Sequence, residues 1–393
     1  MTENVFNIIE KNEAEYKDLL RDMVTLPSYT YDKADVDKLS DFIKAFSESK
    51  GFSVKVYPFE KAGNGLVISM NEGSPLPAIV FTAHMDTVHK RGKWPEPLFR
   101  EENGMLYGPG VIDCKGGIAI GLLTMASLKE AGYTARPVKL IAVSDEEADE
   151  RLSGNAGRDF IRENARGAAA AFTLENNSEP KYITVARKGN MRIKINVHGK
   201  FAIASVNKKE GVNAIIEAAC KINEIESTAP GPEDEMIFNC GLVSGGLAED
   251  VVPAEASFTV SVKYLRKKQR REILDHVERI VNKTHVPGAT ADYEILAERP
   301  AMEYTRGNRA LAEFVGKISE KYGWGEMLTR QDSYGGTDAA YTSDADVPSV
   351  CALGAQGTGG HSLNENMVAA SLIKRAKLMA ACICDMPSDF DIR

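Results

Sequence analysis

Four short runs of this chain are apolar at consecutive positions: AIVFTA (78–83), VKLIAVS (138–144), AAAFTLE (169–175) and VPSVCAL (347–353). Side chains along a strand alternate sides, so a strand apolar throughout must be covered on both faces. Helix-period segments separate these runs, at about 116–131, 155–165 and 308–322. The alternation predicts an α/β fold: a mostly parallel sheet with helices on both faces. Further helices are expected over 3–25 and over 33–50, where Val36, Leu39, Phe42, Ile43 and Phe46 recur at helical spacing, and a last helix over 366–384. Two more strands are expected at 52–59 and 65–70.

From about residue 187 the texture changes. MRIKINVH puts Met191, Ile193, Ile195 and Val197 on one face and Arg192, Lys194 and Asn196 on the other, as a strand with one wet face requires. Helix 212–226, strands 236–243 and 256–264, helix 268–284 and strand 291–297 follow. This β-α-β-β-α-β order is the ferredoxin-like split unit. It predicts a domain at 187–298 inserted into another made of 1–186 and 299–393.

Lys and Arg number 48 against 56 Asp and Glu, a formal charge of −8. A binder of nucleic acid needs a basic face to neutralise phosphates, so that class is excluded. No apolar run approaches the roughly 20 residues that span a bilayer. The start, MTENVFNIIEKNEAEYKDLL, carries acids where a signal peptide would carry basic residues. The expectation is a cytoplasmic protein without a membrane partner, whose six scattered cysteines are buried apolar residues. His198, His276 and His285 are expected at the surface or at helix ends, and His89 in a loop near the site.

Histidines and carboxylates gather just past the apolar strands. His84 and Asp86 follow 78–83, Asp145, Glu146 and Glu147 follow 138–144, Glu175 closes 169–174, and His361 lies past 347–353. Asp113 sits in the Gly-rich segment GPGVIDCKGG. Ligands collect at the carboxyl ends of strands in open α/β sheets, so these side chains are expected at one site. Imidazole and carboxylate together suit divalent metals: zinc first, with cobalt and manganese as alternatives. Two histidines and three carboxylates allow one of each per metal, with Asp113 shared. Two such metals activate a bridging water and polarise a carbonyl. One acid of the Glu146–Glu147 pair is then left as general base, and Asp86 would fix the tautomer of His84.

The motifs FTAHMDTV, LYGPGVIDCKGG, SDEE, TLEN, GKFAIAS with GVNAI, GGLAEDVVP, GGTDAAY and GGHS occur in this order. They resemble the co-catalytic metallopeptidases and amidohydrolases that include glutamate carboxypeptidase, aminoacylase, acetylornithine deacetylase and succinyl-diaminopimelate desuccinylase. The resemblance runs from about Leu20 to Met379 and is strongest to glutamate carboxypeptidase. It implies His84 and Glu175 on one metal, Glu147 and His361 on the other, Asp113 between them, Glu146 as base and Asp86 behind His84. It places Gly336 in the substrate pocket and makes the inserted domain a lid through which two copies form a homodimer. The implied reaction is metal-dependent hydrolysis of an amide bond in a small peptide or N-acyl amino acid. The lid departs from the family pattern: Ile203 stands where the family has a histidine, Asp250 where it has asparagine, and Lys263 where it has arginine. These departures keep open a member that binds metal without hydrolysis, or a peptidase for substrates lacking a free α-carboxylate. Asp250 would repel a carboxylate or pair with Lys263.

Overall fold

A computed structural model describes every residue except 149–150, 232–235, 332, 334 and 393. The chain forms two compact units: Met1–Ala186 with Tyr304–Arg393, and Arg187–Glu303. The second unit extends to Glu303 because Arg187 and Met302 exchange backbone hydrogen bonds at 2.9 and 3.0 Å.

In the first unit, six strands of the described residues form one sheet. Their order is Ser53–Tyr57, Gly65–Met70, Val138–Val143, Ile79–His84, Ala170–Thr173 and Ser349–Val350. Only Gly65–Met70 runs against the others. Alternation divides the side chains between two cores. Leu66, Ile68, Ile79, Phe81, Leu140 and Phe172 face one, and Val67, Val80, Ile141 and Ala171 face the other. Helices Thr2–Lys11, Glu13–Thr25, Lys115–Glu130 and Ser371–Cys384 cover the first side, while Gly154–Ala165 and Ala339–Asp344 cover the second. The mainly parallel α/β sheet is therefore as expected. Phe81 and Phe172 meet in the larger core with ring centroids 6.2 Å apart, and both are fully buried. Truncating Phe81→Ala is expected to destabilise the first unit by about 3–5 kcal/mol, read from the urea midpoint.

Some elements differ from expectation. The stretch 3–25 is two helices, interrupted at Asn12. The strand at 347–353 shrinks to Ser349–Val350, and the final helix begins at Ser371. Residues Asn366–Val368 are instead a strand, in a small sheet ordered Gly357–Thr358, Asn366–Val368, Met105–Tyr107 and Arg100–Glu102. Strands of two or three residues carry no readable period, which is why this sheet escapes a sequence reading. No helix among the described residues is long and apolar enough to cross a membrane.

The second unit is an antiparallel sheet ordered Ile237–Gly245, Glu255–Tyr264, Gly189–His198 and Thr290–Arg299. Its apolar face, with Met191, Ile193, Ile195, Phe258 and Val260, packs on helices Ala214–Thr228 and Gln269–Val281. Lys221 and Glu217 are each 1% exposed yet fully engaged. Lys221 Nζ donates to the carbonyls of Ile280, Val281 and Lys283, and Glu217 accepts the N–H groups of His285 and Val286. His276 is buried rather than at the surface, its ring edge-on to Phe238 at 5.3 Å.

Candidate metal centre

The parallel strands bring their carboxyl ends level. His84, the last residue of its strand, pairs with Val143, and Thr82 pairs with Thr173. Residues 145–147 and Glu175 therefore leave the sheet beside His84. Helix Lys115–Glu130 delivers Asp113 to the same edge. Its approach requires Gly117, where a Cβ would stand 2.2 Å from the Leu174 carbonyl.

The two oxygens of Asp113 face different histidines. His84 Nε2 lies 3.2 Å from Oδ1, and His361 Nε2 lies 3.4 Å from Oδ2. Beyond them, Glu175 Oε2 is 3.8 Å from His84 Nε2 and Glu147 Oε2 is 3.0 Å from His361 Nε2. His84, Asp113 and Glu175 are buried, whereas the His361 side chain is 58% exposed and its backbone is left-handed, with φ of +65°. His84 Nδ1 lies 3.0 Å from the Asp86 carbonyl and 3.5 Å from its carboxylate. That carboxylate also accepts the N–H groups of Glu146 at 3.1 Å and Glu147 at 2.9 Å. Asp86 thus holds both His84 and the acidic loop.

The electrostatics describe a set of donors crowded beyond what they can neutralise among themselves. Burial pushes the Glu147 carboxyl up to about 7, against the hydrogen bond from His361. His361 is pushed up to about 10 by its hydrogen bonds to Asp113 and Glu147. Burial would raise Asp113, but His361 and His84 hold it well below the usual carboxylate range. Glu147 Oε1 is buried without a hydrogen-bond partner among the described residues. His84 with Asp113 and Glu147, and His84 with Cys114 and Glu175, form groups compact enough to share a cation. Imidazoles and carboxylates converging around an orphaned oxygen fit divalent cations.

A residue that the sequence reading missed ties this site together. Glu365, 1% exposed, accepts the N–H groups of Ile112 at 2.9 Å, Asp113 at 3.1 Å and Gly110 at 3.1 Å. It also takes His89 Nε2 at 2.8 Å. One carboxylate thereby binds the loop of Asp113 to the segment carrying His361. The small sheet fixes the register, since Asn366 pairs with Tyr107. The available signal was the acid in GGHSLNEN, four residues after His361. Glu365→Gln turns one acceptor into a donor facing donors, so metal affinity is expected to fall about 10–100-fold in a chelator competition titration. Lys115, fully buried, donates from Nζ to the Leu26 carbonyl at 3.0 Å, and burial draws its ammonium down to about 7. Arg151 joins the acidic loop to the GGTDA segment, bonding Asp145 Oδ1 at 2.8 Å and the Asp338 carboxylate.

Gly336, in that GGTDA segment of the first unit, is exposed. Lys263, Asp250 and Ile203 belong to the second unit. Ile203 is 43% exposed and pairs with Val251, and the Asp250 carbonyl accepts from Ala204 N–H at 2.9 Å. Asp250 does not pair with Lys263. Lys263 opposes Asn190, which in turn opposes Arg299, and it is drawn downward by burial and by the charges of Arg299 and Lys188.

Residues 80–385 match the model of peptidase family M20/M25/M40. The chain belongs to this family. It is 28% identical over 371 residues to carboxypeptidase G2 of Pseudomonas sp. (strain RS-16), covering 92% of this chain and 86% of the relative. It is 26% identical to succinyl-diaminopimelate desuccinylase of Corynebacterium glutamicum, over 66% and 69% of the two chains. Among solved structures, aminopeptidase PepT from Bacillus cereus superposes with a TM-score of 0.74 at 23% identity, over 95% of this chain and 98% of that one. An M20 family metallo-carboxypeptidase from Sulfolobus solfataricus superposes at 0.70 and 15% identity, over 94% and 98%. Membership of this peptidase family makes the protein a metal-dependent hydrolase of peptide or acyl amide bonds.

Proposed function

We propose that this enzyme hydrolyses the amide bond of a small peptide or N-acyl amino acid that carries a free α-carboxylate. The carrying observation is the Asp113 carboxylate, with one oxygen toward His84 and the other toward His361. That placement supports two cations, one held by His84 and Glu175 and the other by His361 and Glu147, with Asp113 common to both. Zinc suits this donor set first. Bound there, the cations supply Lewis acidity to the scissile carbonyl and to the attacking water.

The chain's own residues do the rest. Glu146, held at its backbone by Asp86, takes the proton of the attacking water and returns it to the leaving nitrogen. Asp86 keeps Nδ1 of His84 protonated, so that Nε2 faces Asp113 as the ligand atom. Lys263, beside Arg299 and Lys188 rather than paired with Asp250, supports recognition of a carboxylate. The exposed Leu242, Val243 and Leu247, on and just past the edge strand Ile237–Gly245, support a homodimer through this domain. The cytoplasm is the compartment proposed for it.

The test is a screen of metal-loaded protein against dipeptides and N-acyl amino acids, each with a free or an amidated C-terminus. Hydrolysis confined to the free acids is expected. Equal turnover of the amides would exclude carboxylate recognition, and turnover of neither would exclude dipeptides and N-acyl amino acids as its substrates.

A further inference from the structure

Buried guanidinium groups ordinarily face a carboxylate, because taking a charge out of water without a partner is costly. Arg375, on helix Ser371–Cys384, is 3% exposed and lacks such a partner among the described residues. Among the described residues its Nε has no hydrogen-bond partner, and Nη2 reaches the Pro180 carbonyl at 3.5 Å. Burial alone acts on it, drawing the group down to about 10. The side chain lines a cavity of about 660 Å³ that includes none of the metal-centre residues. Lys181 and Lys374 line the same cavity, and neither has an ion-pair partner among the described residues. Glu326 is the one acid in the lining, against three cations. The rest of the wall adds the polar side chains of Ser319 and Gln356 and an apolar part that includes Trp324 and Leu328, which keep 39% and 40% of their surface exposed, and Leu378.

We propose that this cavity is a second binding site, for a small carboxylate with an aromatic or branched apolar body. The planar fork of Arg375 matches the two oxygens of a carboxylate. Lys181 and Lys374 add positive potential at the cavity wall, and Trp324 and Leu328 offer apolar surface to the body of the ligand. Small-molecule sites combine these features: a mainly apolar hollow with a few charged groups that fix orientation. The assignment stands apart from the metal centre and does not depend on the reaction proposed there.

The test is calorimetric titration of the metal-loaded, full-length protein with phenylacetate, alongside phenylacetamide and inorganic phosphate. Saturable binding of phenylacetate is expected, with the neutral amide and the phosphate failing to bind. In Arg375→Met that binding weakens about 10–100-fold. Amide hydrolysis by the variant is unchanged, which separates this site from phenylacetate held at the metals. The ligand-free variant is expected to melt at a higher temperature than wild type, since it loses an uncompensated buried charge. Equal phenylacetate binding by wild type and Arg375→Met overturns the site. Phosphate binding as tightly as phenylacetate overturns the ligand class. A lower melting temperature with unaltered binding would make the guanidinium structural only, and so overturns the proposal as well.

Discussion

Replacing Glu146 by glutamine leaves the metals bound and lowers kcat by about 10²–10⁴-fold, the usual worth of a positioned general base. Two observations separate Glu146 from its neighbour Glu147. The compact metal-capable groups take in Glu147 and not Glu146. Glu147 Oε2 faces His361 at 3.0 Å while its Oε1 is left without a partner among the described residues; the backbone N–H groups of both glutamates are held alike by Asp86. Glutamine preserves the shape of the side chain and that backbone contact but cannot accept a proton. Metal content by elemental analysis and turnover on the same preparation decide the matter. A variant that keeps wild-type kcat removes Glu146 from the base role, and one that loses metal moves it among the ligands.

Asp113→Ala removes the carboxylate common to both histidines, and metal binding is expected to weaken by more than about 100-fold, beyond the loss typical of an outer-shell partner. Activity falls with it, and added metal restores only part. The same geometry gives wild-type loading a pH dependence of definite sign. In the metal-free chain His361 is pushed up to about 10 by Asp113 and then Glu147, so at neutral pH it carries a proton that a cation must displace. Loading therefore releases protons, and affinity falls as pH drops. Titrations in buffers of different ionisation enthalpy measure that release, and its absence would show that His361 stays off the metal. In Asp113→Ala the release shrinks, because the hydrogen bond to Asp113, the largest cause of the raised His361 value, is gone.

The apolar strands and the order of elements were readable because burial on both faces leaves an unmistakable run of Val, Ile, Phe and Ala, as in 78–83 and 138–144. The cluster of His84, Asp113, Glu147, Glu175 and His361 was readable for a related reason. Parallel strands end on one edge, so residues just past those ends are neighbours however distant in sequence. His361 and Asp113 were harder, since both sit on loops without periodicity.

The sequence by itself thus determined the fold class, the edge of the sheet where chemistry collects and the residue types that gather there. Those follow from local pattern and strand polarity. Only the tertiary structure decided which Asp113 oxygen faces which histidine, that Glu365 braces the Asp113 loop from more than 250 residues away, and that Arg375 lies buried without a counter-charge among the described residues. These are matters of long-range hydrogen bonding and burial. A carboxylate or guanidinium has the same sequence signature whether water, a backbone amide or an empty pocket surrounds it.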